Sequence, residues 1–166
     1  MRTVHWNDGA VELIDQTRLP ETLETVVCQK WEEIADAIVT MKVRGAPAIG
    51  VVAAMGMALG AHQSEAASGA DLVEDLVRVG DALKATRPTA VNLAWAVDRM
   101  LEAARSRAHL AKADLVRYLE LEAQVMARED IEINQAIGQN GAVLIEDGAN
   151  VLTHCSTGAL ATVDWG

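Results

Sequence analysis

The sequence predicts a mixed α/β chain: a small N-terminal antiparallel sheet, then five helices in a bundle, then one further strand near the C-terminus. Three observations carry this. Short alternating segments before residue 30 flank an Asp-Gly pair, a long middle stretch spaces its apolar residues at helical period, and the tail returns to an apolar run closed by small residues. The 166 residues, 51% apolar and 23% charged, suffice for a packed core and lack the composition of a disordered segment.

Val4-His5-Trp6 and residues 10–14 read as strands joined through Asn7-Asp8-Gly9, because Asp-Gly supplies the positive φ angles of a two-residue hairpin. Leu19-Pro20 breaks the chain, and residues 24–28 add a third strand that ends on Cys28, read as a small buried side chain. Trp31, Ile34, Ala35, Ile38 and Val39 form the inner stripe of a first helix reaching Met41. The second helix, from Pro47 to about Gln63, is apolar nearly all round and so belongs in the core; the longest uncharged run, Gly45 to Ala61, falls short of a comfortable bilayer span. Asp71-Leu72-Val73-Glu74 resembles a capping box opening a third helix to about Ala85. The fourth is expected from Pro88 to about His109 and the fifth from about Lys112 to beyond Ile131, with Leu115, Leu119, Met126 and Ile133 inward. Gly138 and Gly141 are placed to bend or break it before a helical turn at 142–145 closed by Asp147-Gly148.

Residues 150–154 read as a buried-type strand, Cys155-Ser156-Thr157-Gly158 as its turn, and Ala159-Leu160-Ala161-Thr162 as the opening of a helix. That is the first half of a βαβ unit. A parallel strand needs neighbours, and Gly166 arrives before a crossover helix could finish, so the unit is expected to be incomplete and the chain part of something longer.

The formal net charge of −10 argues against a nucleic-acid or anionic-membrane surface, which needs clustered Lys and Arg. Cys28 and Cys155 lie far apart without ligand spacing, so neither a zinc site nor a disulfide framework is suggested. Met1-Arg2-Thr3-Val4-His5-Trp6 has no signal-peptide apolar region, and a cytoplasmic protein is expected.

In so acidic a chain, local cations stand out. Arg44 precedes Gly45-Ala46-Pro47, where a polar helix ends and the apolar one begins. Pro47 suits a first helical turn and makes Ala46 the expected N-cap, a residue with no side-chain oxygen. The amides of Ala48, Ile49 and Gly50 are then left without a cap, Gly45 lets a ligand come close, and Arg44 adds a forked cation: together an anion site. A plain junction with Arg44 salt-bridged to an acid explains the same residues equally well. The device recurs at Arg87-Pro88-Thr89-Ala90-Val91-Asn92-Leu93, with Thr89 and Asn92 as further donors, or with Arg87 merely solvated. Cys155 falls at a strand's carboxyl end facing a helix start, where a thiol gains thiolate character; strand-end cysteines also occur as plain packing. His154 points to the opposite face by alternation.

Taken together, Val43-Arg44-Gly45-Ala46-Pro47-Ala48-Ile49-Gly50, Arg87-Pro88-Thr89-Ala90-Val91-Asn92-Leu93 and Leu152-Thr153-His154-Cys155-Ser156-Thr157-Gly158-Ala159-Leu160-Ala161-Thr162 closely resemble the methylthioribose-1-phosphate isomerase family. Its superfamily includes the regulatory subunits of the initiation-factor guanine-exchange complex. Leu13-Ile14-Asp15-Gln16-Thr17-Arg18-Leu19-Pro20 fits as well. The resemblance spans nearly the whole chain but only about half of a full-length member. Two departures are visible: Cys-Ser-Thr-Gly at 155–158 where members read Cys-Asn-Ala-Gly, and Asp164-Trp165-Gly166 where they read Gly-Tyr-Gly.

The resemblance implies substrate binding by Arg44, Gly45, Ala46 and Arg87, and catalysis by Cys155. It also implies a homodimer, a sugar-phosphate substrate, and no metal, cofactor, nucleic-acid or membrane partner. The fold it implies is a sheet-and-helix domain over residues 1–145 followed by the first strand of a truncated Rossmann-like domain over 146–166. The reaction is the conversion of 5-methylthioribose 1-phosphate to methylthioribulose 1-phosphate in methionine salvage. A catalytic aspartate belongs to the remainder of that Rossmann-like domain, so this chain is expected to be inactive alone. The alternative in another class is a non-catalytic sensor of a sugar phosphate or nucleotide, akin to the initiation-factor subunits. A third reading is a degenerate helical domain with only a packing role.

Overall fold

The computed structural model describes residues 2–166. Strands β1 (Val4–Asn7), β2 (Ala10–Ile14) and β3 (Thr25–Cys28) form an antiparallel sheet in the order β1-β2-β3. Asn7 pairs with Ala10 across the predicted turn, where Asp8 and Gly9 both have positive φ, 45° and 81°. Registers Val4↔Leu13 and Leu13↔Val26, with Trp6↔Val11 and Val11↔Cys28, send one set of apolar side chains to the inner face. His5 and Glu12 pair on the other face at 3.2 Å.

Five helices follow: α1 (Trp31–Val39), α2 (Ala46–Gln63), α3 (Gly69–Thr86), α4 (Val91–Arg105) and α5 (Lys112–Ala142). As its composition predicts, α2 is the central rod, packed by α1, α3, α4, α5 and the sheet, with Ala48 through Ala61 all buried. It is long and apolar enough to cross a membrane, yet it is largely enclosed within the fold. α4 and α5 are joined by Arg99, whose guanidinium bridges Glu122 at 2.8 Å and grips Glu129 with two nitrogens.

α1 ends at Val39 rather than Met41 and α4 at Arg105 rather than about His109, and four further boundaries differ from the sequence reading for a local reason. α2 starts one residue early with Gly45, not Ala46, as N-cap. α3 starts behind Ser68, whose hydroxyl accepts the Asp71 amide at 3.2 Å and donates to the Asp71 carboxylate at 2.7 Å; serine is the better cap and Asp71 its partner. Pro88 does not open α4. It takes the second position of a β-turn closed by Ala90 N–H to Arg87 C=O at 2.9 Å, and the helix begins at Val91. α5 continues through Gly138 and Gly141, ending in a turn that Leu144 and Ile145 close by donating to Gly141 and Ala142.

The tail departs furthest. Among the described residues no strand forms at 150–154, where Leu152 is 96% exposed. Its backbone finds no neighbouring strand among the described residues, and a lone strand leaves its hydrogen-bonding groups unpaired. The expected helix after the cysteine turn is a single 3₁₀ turn, η1 (Ala159–Ala161).

Candidate functional site

Gly45 fixes the geometry of the first arginine junction. Its φ of 99° and ψ of 131° belong to glycine, and a Cβ there would sit 2.4 Å from Cα of Ala161. No side chain caps α2. Ile49 donates to Gly45 C=O at 2.9 Å and Pro47 has no N–H, so the early amides left over are those of Ala46 and Ala48. This set differs from Ala48, Ile49 and Gly50 because the helix begins a residue sooner. Arg44 is exposed and makes no ion pair among the described residues, so the salt-bridged junction is not what the molecule adopts.

Arg87 is half-buried at the end of α3, also without an ion pair among the described residues. α4 opens behind Ala90, which offers no side-chain cap either. The two uncapped starts lie against each other. A Cβ on Gly50 would meet the Asn92 carbonyl at 3.0 Å, so the first turns of α2 and α4 touch backbone to backbone.

The tail reaches the same place through side-chain and backbone bonds. The Gln16 side-chain amide donates to Leu160 C=O at 2.9 Å and to Arg44 C=O at 3.4 Å, tying the cysteine loop to the arginine junction. Thr3, fully buried, donates its hydroxyl to Ala159 C=O at 2.6 Å and its amide to Val163 C=O at 2.7 Å. On the other side Val163 N–H donates to the Asp130 carboxylate at 2.8 Å, and burial raises that carboxyl's pKa. Gly45 against Ala161 completes the seal.

Cys155 stands in the exposed part of this loop with φ 66°, in the left-handed region that side chains rarely occupy. Among the described residues the helix whose N-terminus was expected to act on its thiol is only the single turn η1. Cys28 is the opposite case. It is 1% exposed on the inner face of β3, and burial, helped by Glu33, pushes its thiol up to about 11.

Beside the paired helix starts lies a cleft of about 470 Å³. Pro47, Gly50 and Val51 form one wall, Val91, Asn92 and Trp95 a second, and the α5 face from Met126 to Ile137 the third. Its two acids are already engaged, Glu129 by Arg99 and Asp130 by Val163 and Asn134. Among the described residues no group of three or more His, Cys, Asp or Glu is placed to hold a metal ion.

The sequence profile described as the initiation factor 2 subunit family matches residues 42–163, from the first arginine junction to the docked tail. The chain belongs to the initiation factor 2 subunit family. Within it, the chain is 52% identical over 165 residues to a methylthioribose-1-phosphate isomerase of Thermotoga neapolitana, covering 99% of this chain and 47% of that protein. It is 47% identical over 166 residues to one of Stenotrophomonas maltophilia, 100% of this chain and 46% of the relative. The chain thus spans about half the length of the curated relatives it matches. The crystal structure of the 5-methylthioribose 1-phosphate isomerase of Pyrococcus horikoshii superposes with TM-score 0.92 at 40% identity, over 99% of this chain and 46% of that one. A structure described as translation initiation factor eIF-2B subunit delta of A. fulgidus superposes at 0.88 with 46% identity, over 100% and 48%.

Of the residues singled out in the sequence, Arg44, Gly45 and Ala46 share one junction, and Arg87 closes the turn that leads into the neighbouring one. Cys155 shares the loop whose far end docks on Gly45. Thr3, Gln16 and Asp130, which hold this arrangement, were not read as positioning residues. Gln16 alone carried a signal, inside the segment 13–20 that resembles the family.

Proposed function

We propose that this chain carries the phosphate-gripping half of an aldose–ketose isomerase that converts 5-methylthioribose 1-phosphate to methylthioribulose 1-phosphate in methionine salvage. The observation that carries the reading is the convergence of three separate motifs: Gly50 on Asn92 joins the two uncapped helix starts, and Gly45 on Ala161 joins them to the cysteine loop. Arg44, the amides of Ala46 and Ala48, and Arg87 hold the phosphate and sugar hydroxyls. Two unpaired guanidiniums beside uncapped helix starts suit a dianion, and such a clamp fixes the substrate while offsetting charge that develops at C1–C2. Cys155 moves the proton between these carbons, with a carboxylic acid from a completed Rossmann-like domain as its complement. A working homodimer in the cytoplasm is the setting the family resemblance implies. The isomerase names of the curated relatives favour this over a non-catalytic sensor.

The test is turnover in a fusion that joins residues 1–166 to the matching remainder of the Thermotoga neapolitana relative. The fusion is expected to produce methylthioribulose 1-phosphate. Cys155→Ser is expected to lower kcat by at least roughly 10²-fold, and Arg44→Ala to lower kcat/KM by a similar factor. Near-normal turnover in either variant removes that residue's role, and a well-folded fusion without turnover removes the isomerase reading.

A further inference from the structure

We propose that Asp130 is a positioning residue for the cysteine loop: its carboxylate, by accepting the Val163 amide, fixes residues 159–163 to α5 and through them the place of Cys155, so that it acts on turnover rather than on substrate affinity. The inference rests on the isomerase reading above, which gives Cys155 its part in proton transfer, and adds the residue on which that part depends.

The way the loop is held is the first argument. Among the described residues, 150–157 make no hydrogen bond with any other segment, so Cys155 is anchored only from its downstream side, by the stem 159–163. Thr3 holds the carbonyls of Ala159 and Val163, Gln16 holds the carbonyl of Leu160, and Gly45 packs on Ala161. All of these come from the N-terminal segment or the start of α2. Asp130 is the tie from α5, and it accepts from an amide of the stem, at 2.8 Å, where the N-terminal residues donate to its carbonyls.

The quality of that bond is the second. A carboxylate accepting an N–H is a charge-assisted bond, roughly twice as strong as a neutral one. Val163 is 1% exposed, so its amide has no water to turn to when the carboxylate is removed. Asn134 donates to the Asp130 carboxylate at 3.2 Å and to the Asp130 carbonyl at 2.8 Å, which holds the acid in its orientation. Burial raises the pKa of the Asp130 carboxyl, and the Val163 and Asn134 bonds pull against that rise, so these two donors offset what the carboxylate loses in water.

The third argument is what Asp130 leaves untouched. Gln16 bonds the carbonyls of both Arg44 and Leu160 and so joins the loop to an arginine junction. Asp130 bonds Val163 and Asn134 and, among the described residues, neither junction. Its neighbour Glu129 is held by Arg99. Loss of the Asp130 carboxylate therefore loosens the stem of the thiol and spares the groups proposed to grip the phosphate. A reacting group displaced within a bound complex lowers its rate, whereas the affinity set elsewhere is kept.

Hydrogen exchange in the 166-residue chain reads the anchor, and turnover in the fusion with the Thermotoga neapolitana remainder reads its catalytic consequence. Asp130→Ala, with folding checked by circular dichroism, is expected to lower protection of the Val163 amide at least about tenfold while the amides of α2 keep theirs. In the fusion it is expected to lower kcat at least about tenfold and to leave KM within roughly twofold. Asp130→Asn retains an oxygen of the same reach and is expected to hold protection and kcat within roughly threefold of wild type. Asn134→Ala removes only the donor that orients the carboxylate. It is expected to lower kcat roughly threefold at constant KM, and it carries the test where Asp130→Ala does not fold. Unchanged Val163 protection in Asp130→Ala, a KM that rises in step with the fall in kcat, or an Asp130→Asn variant as impaired as the alanine one overturns the positioning role. Absent turnover in the folded wild-type fusion overturns the isomerase reading and the kinetic role with it, and the exchange result then decides the anchor on its own.

Discussion

Gly45 serves two ends at once. Its positive φ turns the chain into α2 without a capping side chain, and its missing Cβ leaves room for the Ala161 backbone. Gly45→Ala places a methyl 2.5 Å from the Ala161 carbonyl oxygen in a conformation alanine resists, so one of the two must move. Urea unfolding is expected to show a loss of at least about 2 kcal/mol. Tail amides from Gly158 to Val163 should also lose protection from hydrogen exchange. The two cysteines differ as sharply. Ellman's reagent is expected to titrate Cys155 at once and Cys28 only after unfolding. Cys28 also links stability to alkaline pH. Its folded pKa, pushed up to about 11 from 9.0, lies above the unfolded one, so its contribution is complete below pH 9 and is lost as pH rises towards 11. The loss amounts to roughly 2–3 kcal/mol at 1.36 kcal/mol per unit, and a Cys28→Ala variant should lack it.

At the scale of elements, the ion pairs of Arg99 hold α4 to α5 next to the cleft. Replacing Arg99 by Met leaves Glu122 and Glu129 facing each other without a cation, at an expected cost of about 1–2 kcal/mol at neutral pH, discounted because Glu129 is partly exposed. The Arg99 guanidinium holds the Glu129 carboxyl below the ordinary carboxylate range. Its stabilisation is therefore present above the unfolded pKa of about 4.5 and is lost as pH falls through the lower folded value. The difference between wild type and variant should shrink in acid-unfolding series. Periodicity made the helices legible because each buries a regular stripe, and Asp8-Gly9 made the hairpin legible because few residues accept its turn. Starts were harder. Asp71 mimics a cap but is the third residue behind Ser68, and Pro88 fits a β-turn as well as a first helical turn. Residues 150–154 have the composition of a buried strand, but a strand forms only with partners, and this chain supplies none among its described residues.

For the molecule as a whole, the candidate site draws on segments distant in sequence, and that distance decides what could be read beforehand. The arginine junctions and the cysteine turn announce themselves locally, through uncapped helix starts and a loop of small residues. Their meeting depends on contacts that no local pattern encodes: Thr3 with Ala159, Gln16 with Leu160, Asp130 with Val163, and the glycine contacts at positions 45 and 50. Gln16→Ala removes the side-chain amide that bridges Arg44 and Leu160, both through their carbonyls, while leaving each motif intact. In the fusion with the Thermotoga neapolitana remainder it is expected to raise KM roughly tenfold with folding unchanged, because placement of the proposed clamp is disturbed without loss of a charged group. An unaltered KM would mean that Gln16 only fills the loop.

The three motifs are proposed to form one anion-binding site. A ¹⁵N-resolved NMR titration of the 166-residue chain with 5-methylthioribose 1-phosphate tests this most directly. The amides of Ala46, Ala48, Asn92 and Gly158 are predicted to shift together and fit a single Kd. Shifts confined to one junction, or different Kd values for the separate motifs, would mean that they are separate sites.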